Sequence, residues 1–432
     1  MCRRIICIAL VSLFAALAAC TRQRVPAGFV TAHDGRFEID GRPYKYIGTN
    51  FWYGPILASE GRGGNRPRLH RELDRLQQAG IGNLRILVGG DGDEGIPSHI
   101  EPVLQLAPGI YNDTLLRGLD YLLCELERRG MKAVLYFNNA WEWSGGYGSY
   151  LQWAGRGVAP VPNRDGWPAY MQFVEEFVRC DSAKQLALEH VRTIVSRTNS
   201  LTGKPYAASP AIMAWQIANE PRAFSDANKP LFAAWIAETA RCIKALDPHH
   251  LVTTGSEGRH GCEQDLDLWR TIHALPDIDY ATIHIWPYNW GWVTPETLVD
   301  RADSAAVHAL AYVDLHADAI RPLGKPLVLE EFGYPRDGFR FEPGTPTCGR
   351  DRFYEAIFAA VRDGESLAGC NFWGWGGEAV PAHTFWERWD DYLGDPAQEE
   401  QGLNTVFATD SSTLRLIRTV TDGLCSVLKQ KQ

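Results

Sequence analysis

The chain has 432 residues, of which 45% are apolar and 22% charged. That composition builds a large core and excludes a disordered chain. A formal net charge of −9 excludes nucleic acid as a partner.

The N-terminus reads "MCRRIICIALVSLFAALAAC". Arg3 and Arg4 precede an apolar run over residues 5–16, too short for an ordinary membrane span, and small residues then lead into Cys20. The pattern resembles a bacterial lipoprotein signal. It implies that residues 1–19 are removed, that Cys20 is acylated, and that residues 20–28 tether an exported protein to the cell envelope; an ordinary secretory signal with a chance cysteine would leave it secreted. No other stretch is apolar and long enough to span a bilayer, so the membrane is expected as a partner only through Cys20. Seven cysteines then remain: Cys124, Cys180, Cys242, Cys262, Cys348, Cys370 and Cys425. An odd number leaves at least one unpaired or joined to another chain, and an oxidising compartment permits one or more disulfides. There is no CxxC or HExxH, so nothing suggests structural zinc or a zinc protease; no metal and no cofactor is expected.

"FVTAHDGRFEIDGRPY" reads as a hairpin, with turns at Asp34-Gly35 and Asp40-Gly41. Strand and helix patterns alternate from there. The strands are "YKYIGTN", "NLRILV", "MKAVLYF", "IMAWQI", "HLVTTG", "YATIHI", "PLVLEEF" and "AGCNFWGW". The spacing predicts helices over 68–79, 114–129, 182–198, 232–246, 266–273, 295–320, 352–362 and 412–428. Short apolar strands suit a sheet buried on both faces. Eight such units, with no Pro-, Gly- or Ser-rich linker between them, predict an α/β protein: one (β/α)8 TIM barrel over residues 29–432. Long loops follow strands three (138–167) and eight (372–404), at the barrel end where active sites form.

Chemistry collects at those strand ends. Glu220 ends strand four in "WQIANEPR", where Pro221 stops the strand and favours an extended Glu220. "VLEEFG" ends strand seven with Glu330 and Glu331. Strands four and seven face each other across a barrel, and two opposed carboxylates are what glycoside hydrolysis needs. Adjacent strand residues point to opposite faces, but parity does not choose between Glu330 and Glu331. Arg85 on strand two would hold a nearby carboxylate ionised. His284 ends strand six, and Trp373 ends strand eight as a flat apolar platform.

The ordered set "GTNFWYG", "NNAWEWSGG", "WQIANEPR", "TIHIWPYNWGW", "LVLEEFG" and "NFWGWGG" resembles glycoside hydrolase family 5, and within it the endo-β-1,4-mannanases. The resemblance runs from about Phe29 to the last helix. It implies a retaining double displacement on β-mannan, glucomannan or galactomannan. An exo-acting β-mannosidase or a β-1,4-glucanase of the same family is the alternative. It further implies Glu220 as acid/base and Glu331 as nucleophile, with Asn219 on the sugar 2-hydroxyl. Arg85 and His284 would orient the carboxylates. Arg222 and Trp290 would line the leaving-group side, Trp373 would lie under the cleaved sugar, and Trp141 would bind substrate. One position departs from the pattern: many relatives carry Tyr where this chain has Trp286, whose indole only donates. The expected partner is a polysaccharide, and the expected state a monomer.

Overall fold

The computed structural model describes residues 25–430. The signal segment and the lipidation expected at Cys20 lie outside them. Eight parallel strands form the barrel: Tyr46–Asn50, Asn83–Leu87, Lys132–Tyr136, Ile212–Gln216, Leu251–Thr253, Ala281–Ile285, Leu327–Phe332 and Gly369–Phe372. They are called strands one to eight below. Every residue in them is buried, which is why the sequence runs are mainly apolar. Their order is five-four-three-two-one-eight-seven-six. Contacts between strands five and six close the ring: the Asp279 N–H donates to Val252 O at 2.8 Å and Thr253 Oγ1 to Tyr280 O at 2.9 Å.

The helices follow their caps. Asn65 accepts from the Arg68 N–H and opens the helix Arg66–Gln78. Asn112 opens Asp113–Arg129, which Gly130 ends in the left-handed region. The helix expected from residue 295 begins only at Ala302. Thr294 and Thr297 bond each other's backbone and hydroxyl groups there, holding a turn in place of the first helical turns.

The expected hairpin is a three-stranded antiparallel sheet, Val30–His33, Arg36–Ile39 and Arg42–Tyr44. Its Val30 and Phe37 pack with Tyr46, Val134, Met213 and Tyr280, plugging the end of the barrel away from the long loops. The disulfide allowance is not used among the described residues: Cys124, Cys180, Cys242, Cys262, Cys348 and Cys370 are all free. No helix among those residues is long and apolar enough to cross a membrane.

The two long loops fold over the opposite end. The loop after strand three carries the helices Gly146–Trp153 and Trp167–Val174. The segment 378–405 after strand eight forms a strap. Its Arg388 pairs with Glu101 on the loop after strand two, and Tyr392 donates to Glu101 O at 2.8 Å. Arg68 donates to Tyr392 O at 2.9 Å from beneath.

Candidate active site

Strand seven breaks the expected alternation. Ile283 pairs with Leu329, but His284 pairs with Glu331, so Glu330 is an extra residue in the strand. A bulge of this kind re-aims side chains. Glu330 and Glu331 therefore both turn to Arg85, and the expectation that they point to opposite faces is overturned. Their surroundings separate them. Glu330 sits in the barrel interior, accepting from Gln216 at 2.5 Å and Tyr280 at 3.2 Å, with its carboxyl pushed up to about 7 by burial. Glu331 instead lines the cavity at the mouth.

Arg85 is fully buried and ties four strands together. It donates to Asn50 at 3.0 Å, Gln216 at 2.7 Å, Asn219 at 2.8 Å, and Glu331. Its guanidinium lies 4.3 Å from the Tyr136 ring centroid. Five donors in a rigid fork suit this task, which a lysine could not perform. Asn219 accepts from Arg85 and donates to Asn139 at 3.2 Å. Only one of its two amide hydrogens is used by that bond.

Glu220 departs from the extended conformation expected before Pro221. Its φ is 49°, in the left-handed region that a non-glycine residue seldom occupies. Three bonds hold it there. Its N–H donates to Gly255 O at 3.0 Å, its Oε2 accepts from Trp141 Nε1 at 2.5 Å, and its Oε1 faces His284 Nδ1 at 2.7 Å. The same His284 nitrogen lies 3.3 Å from Glu331 Oε2. Burial holds His284 well below the ordinary imidazole range, so the ring is neutral. A neutral ring with Nδ1–H donates to Glu220. One oxygen of Glu220, one of Glu331 and the His284 nitrogen all lie within 4.8 Å of one another. Arg85 already supplies the cation that Glu331 faces, so the cluster reads as an acid pair rather than a metal centre.

Burial raises the proton affinity of both acids. Arg222, the Trp141 N–H and Arg85 pull Glu220 the other way. Arg85 does the same for Glu331, whereas the charge of Glu220 raises it further. Two carboxyls this close retain a shared proton, and the direct Arg85 ion pair favours leaving the charge on Glu331.

The remaining expected residues gather around one cavity of 560 Å³. Trp141, Asn219, Arg222, Trp286, Trp290 and Trp373 all line it with the two acids. Arg222 donates to Glu257 at 2.8 Å and lies 5.1 Å from the Trp141 ring centroid. Trp290 stacks on His260 at 4.0 Å. Trp373 is edge-on to Trp286 and Trp143, at 5.9 and 6.4 Å. Trp286 sits over Gly333, where any Cβ would come within 2.7 Å of its ring. Its indole N–H helps to lower the proton affinity of Glu220. Glu331 is held by Arg85, without a hydroxyl at position 286.

Sequence reasoning missed the strap's share of the wall, which includes Gln398, Glu399 and Glu400. It also missed Glu257 at the end of strand five and Trp167 in the loop after strand three. The lengths of the two loops were the available signal for the strap and Trp167. Glu257 carried none, because its role depends on reaching Arg222.

A (β/α)8 barrel with two buried glutamates facing each other at its C-terminal mouth defines a glycoside hydrolase. The chain belongs to glycoside hydrolase family 5: residues 27–429 match the family model described as GH family 5 beta-mannosidase-like. It is 30% identical over 368 residues to mannan endo-1,4-beta-mannosidase 1 of Oryza sativa subsp. japonica, covering 80% of this chain and 78% of that one. It is 28% identical over 420 residues to mannan endo-1,4-beta-mannosidase 7 of Arabidopsis thaliana, covering 94% and 90%. Among solved structures, the Rhizomucor miehei family 5 mannosidase in complex with mannosyl-fructose superposes with a TM-score of 0.85 at 32% identity. That match covers 93% of this chain and 99% of the other. The endo-beta-1,4-mannanase of Thermotoga petrophila shares the fold, with a TM-score of 0.66 at 24% identity, covering 89% and 77%.

Proposed function

We propose that this chain is a retaining endo-β-1,4-mannanase that cleaves β-mannan, glucomannan or galactomannan by double displacement. The observation that carries the reading is the close approach of the Glu220 and Glu331 oxygens, within 4.8 Å. Retaining enzymes hold their carboxyls about 5–5.5 Å apart, whereas inverting ones leave room for a water between them. Glu331, ionised beside Arg85, attacks the anomeric carbon. Glu220 gives its proton to the departing glycosidic oxygen. Glu220 then takes a proton from water, which displaces Glu331 and restores the original anomeric configuration. Asn219 bonds the 2-hydroxyl beside the nucleophile, and Trp373 lies under the cleaved sugar. Arg222, Trp290 and Trp141 receive the leaving group on the Glu220 side.

One observation favours a second reading, terminal attack. The strap over residues 378–405 is pinned to the loop after strand two by Arg388 and Tyr392. Were that wall to shorten the cleft to a pocket, only a chain end would enter. Mannohexaose separates the modes: an endo-acting enzyme releases mainly di- and trisaccharides, whereas early accumulation of mannose alone establishes terminal attack. Faster cleavage of cellohexaose would overturn the substrate class. Release of the inverted anomer first, read by NMR, would overturn the two-step mechanism. For the exported state we propose acylation at Cys20, and mass spectrometry of the mature N-terminus tests it.

A further inference from the structure

A second open cavity lies behind the strap. It has a volume of 630 Å³ and is lined by Phe341, Pro381, Phe385, Glu342, His383 and Gln401. The two cavities share one wall: Gln398, Glu399 and Glu400 face the catalytic side, and Gln401 faces the other. A row of rings connects them around the edge. Tyr288 lines the catalytic cavity, Phe339 lies 5.1 Å from it, and Phe341 follows at 5.2 Å. Phe385 beyond them is 48% exposed. Tyr288 and Phe339 are half-buried against the main core, whereas Phe341 and Phe385 belong to no core cluster, so core packing does not account for the outer two. Exposed aromatic surface beside a pocket marks a ligand groove. Mixed lining suits a saccharide: ring faces meet the C–H faces of sugars, and carboxylates, imidazole and amide meet the hydroxyls.

We propose that this cavity is an accessory binding site for the same β-1,4-linked chain, which runs along Tyr288, Phe339 and Phe341 onto Phe385 as it leaves the catalytic pocket. The inference rests on the β-mannan reading of that pocket. The site holds polymer without touching the reacting atoms, so it acts on long substrates alone.

The test uses the full chain and its Phe341→Ala/Phe385→Ala variant. Retardation in gels containing soluble galactomannan reports polymer affinity. Hydrolysis of an aryl β-mannoside reports the catalytic pocket and the integrity of the fold. Loss of two ring platforms is expected to weaken polymer affinity about tenfold while the aryl mannoside rate stays within about twofold. Unchanged retardation overturns the proposal. A parallel fall in aryl mannoside hydrolysis also overturns it, because the rings would then be supporting the pocket. A wild-type chain that is retarded by galactomannan yet cleaves neither substrate sinks the mannanase reading and leaves the accessory site standing.

Discussion

Glu220 and Glu331 occupy one cavity but stand in different company, and their substitutions should differ accordingly. Glu331→Ala removes the nucleophile and should abolish turnover of every substrate. Glu220→Ala should lower kcat/KM on mannan by about 10²–10⁴-fold. It should spare the first step for aryl mannosides whose leaving group needs no proton. Azide should then restore its rate and yield the β-mannosyl azide; no rescue of Glu220→Ala together with a β-mannosyl azide from Glu331→Ala would reverse the two roles. Trp141 offers a finer test. Its N–H bonds the ionised form of Glu220, which also faces Arg222, Glu257, His284, Glu331, Arg85 and Glu399. Trp141→Phe keeps a ring but loses that donor, so Glu220 should hold its proton more tightly. The basic limb of the kcat/KM profile should move up by about one pH unit, the worth of a hydrogen bond to a charged group. An unmoved limb with a raised KM would reduce Trp141 to a sugar platform. The placement of Glu220 and Glu331 at strand ends was legible in the sequence, because each closes an apolar strand run. Which of Glu330 and Glu331 reaches the cavity was not, since the bulge in strand seven defeats the alternation from which parity is read.

The strap lines the catalytic cavity and so bears on the mode of attack. Its attachment to the loop after strand two rests on few contacts, chiefly Arg388 with Glu101 and Tyr392 with Glu101 O. Arg388→Ala should loosen it and leave the aryl mannoside rate little changed. Products from mannohexaose, resolved by chromatography, should then shift toward longer fragments if the strap limits the cleft. An unchanged product ratio would mean that the wall stands without that ion pair. The length of this loop already marked it as functional in the sequence. Its path did not follow from the sequence, because the loop's charged partner lies almost 300 positions earlier in the chain. The helix expected over 295–320 illustrates the same limit at smaller scale. Its apolar pattern was read correctly, but threonine hydroxyls competed for the backbone at its start.

The whole molecule buries ionisable groups of opposite pH response. His190 and His316 are held down to about 4 and His273 to about 3 by burial. The unfolded chain binds those protons first on acidification, so these three histidines withdraw stability as the pH drops from about 6.5 toward 4, against the buried acids. The difference in urea midpoint between the wild type and His190→Gln, followed across that range, isolates the sign: it should shrink toward pH 4. Glu142 works the other way. It is buried beside the catalytic cavity, neither oxygen has a partner among the described residues, and its carboxyl is pushed up to about 7. Its folded proton affinity exceeds the unfolded one, so the ionisation cost is absent below the ordinary carboxylate range and complete above pH 7. Glu142→Gln should therefore match the wild type near pH 4. Above pH 7 it should exceed the wild type by up to about 3 kcal/mol. Equal urea midpoints at both pH values would contradict the burial argument.

By itself the sequence determined the barrel, the strand ends that carry chemistry, and the two acids' neighbourhood. Those properties follow from local periodicity and from the rule that parallel strands end at one mouth. The tertiary structure alone decided the turning of both strand-seven glutamates toward Arg85, the left-handed Glu220, and the strap's place in the cavity wall. Each depends on contacts between segments far apart in the chain, and pairwise geometry of that kind leaves no periodic trace in a sequence.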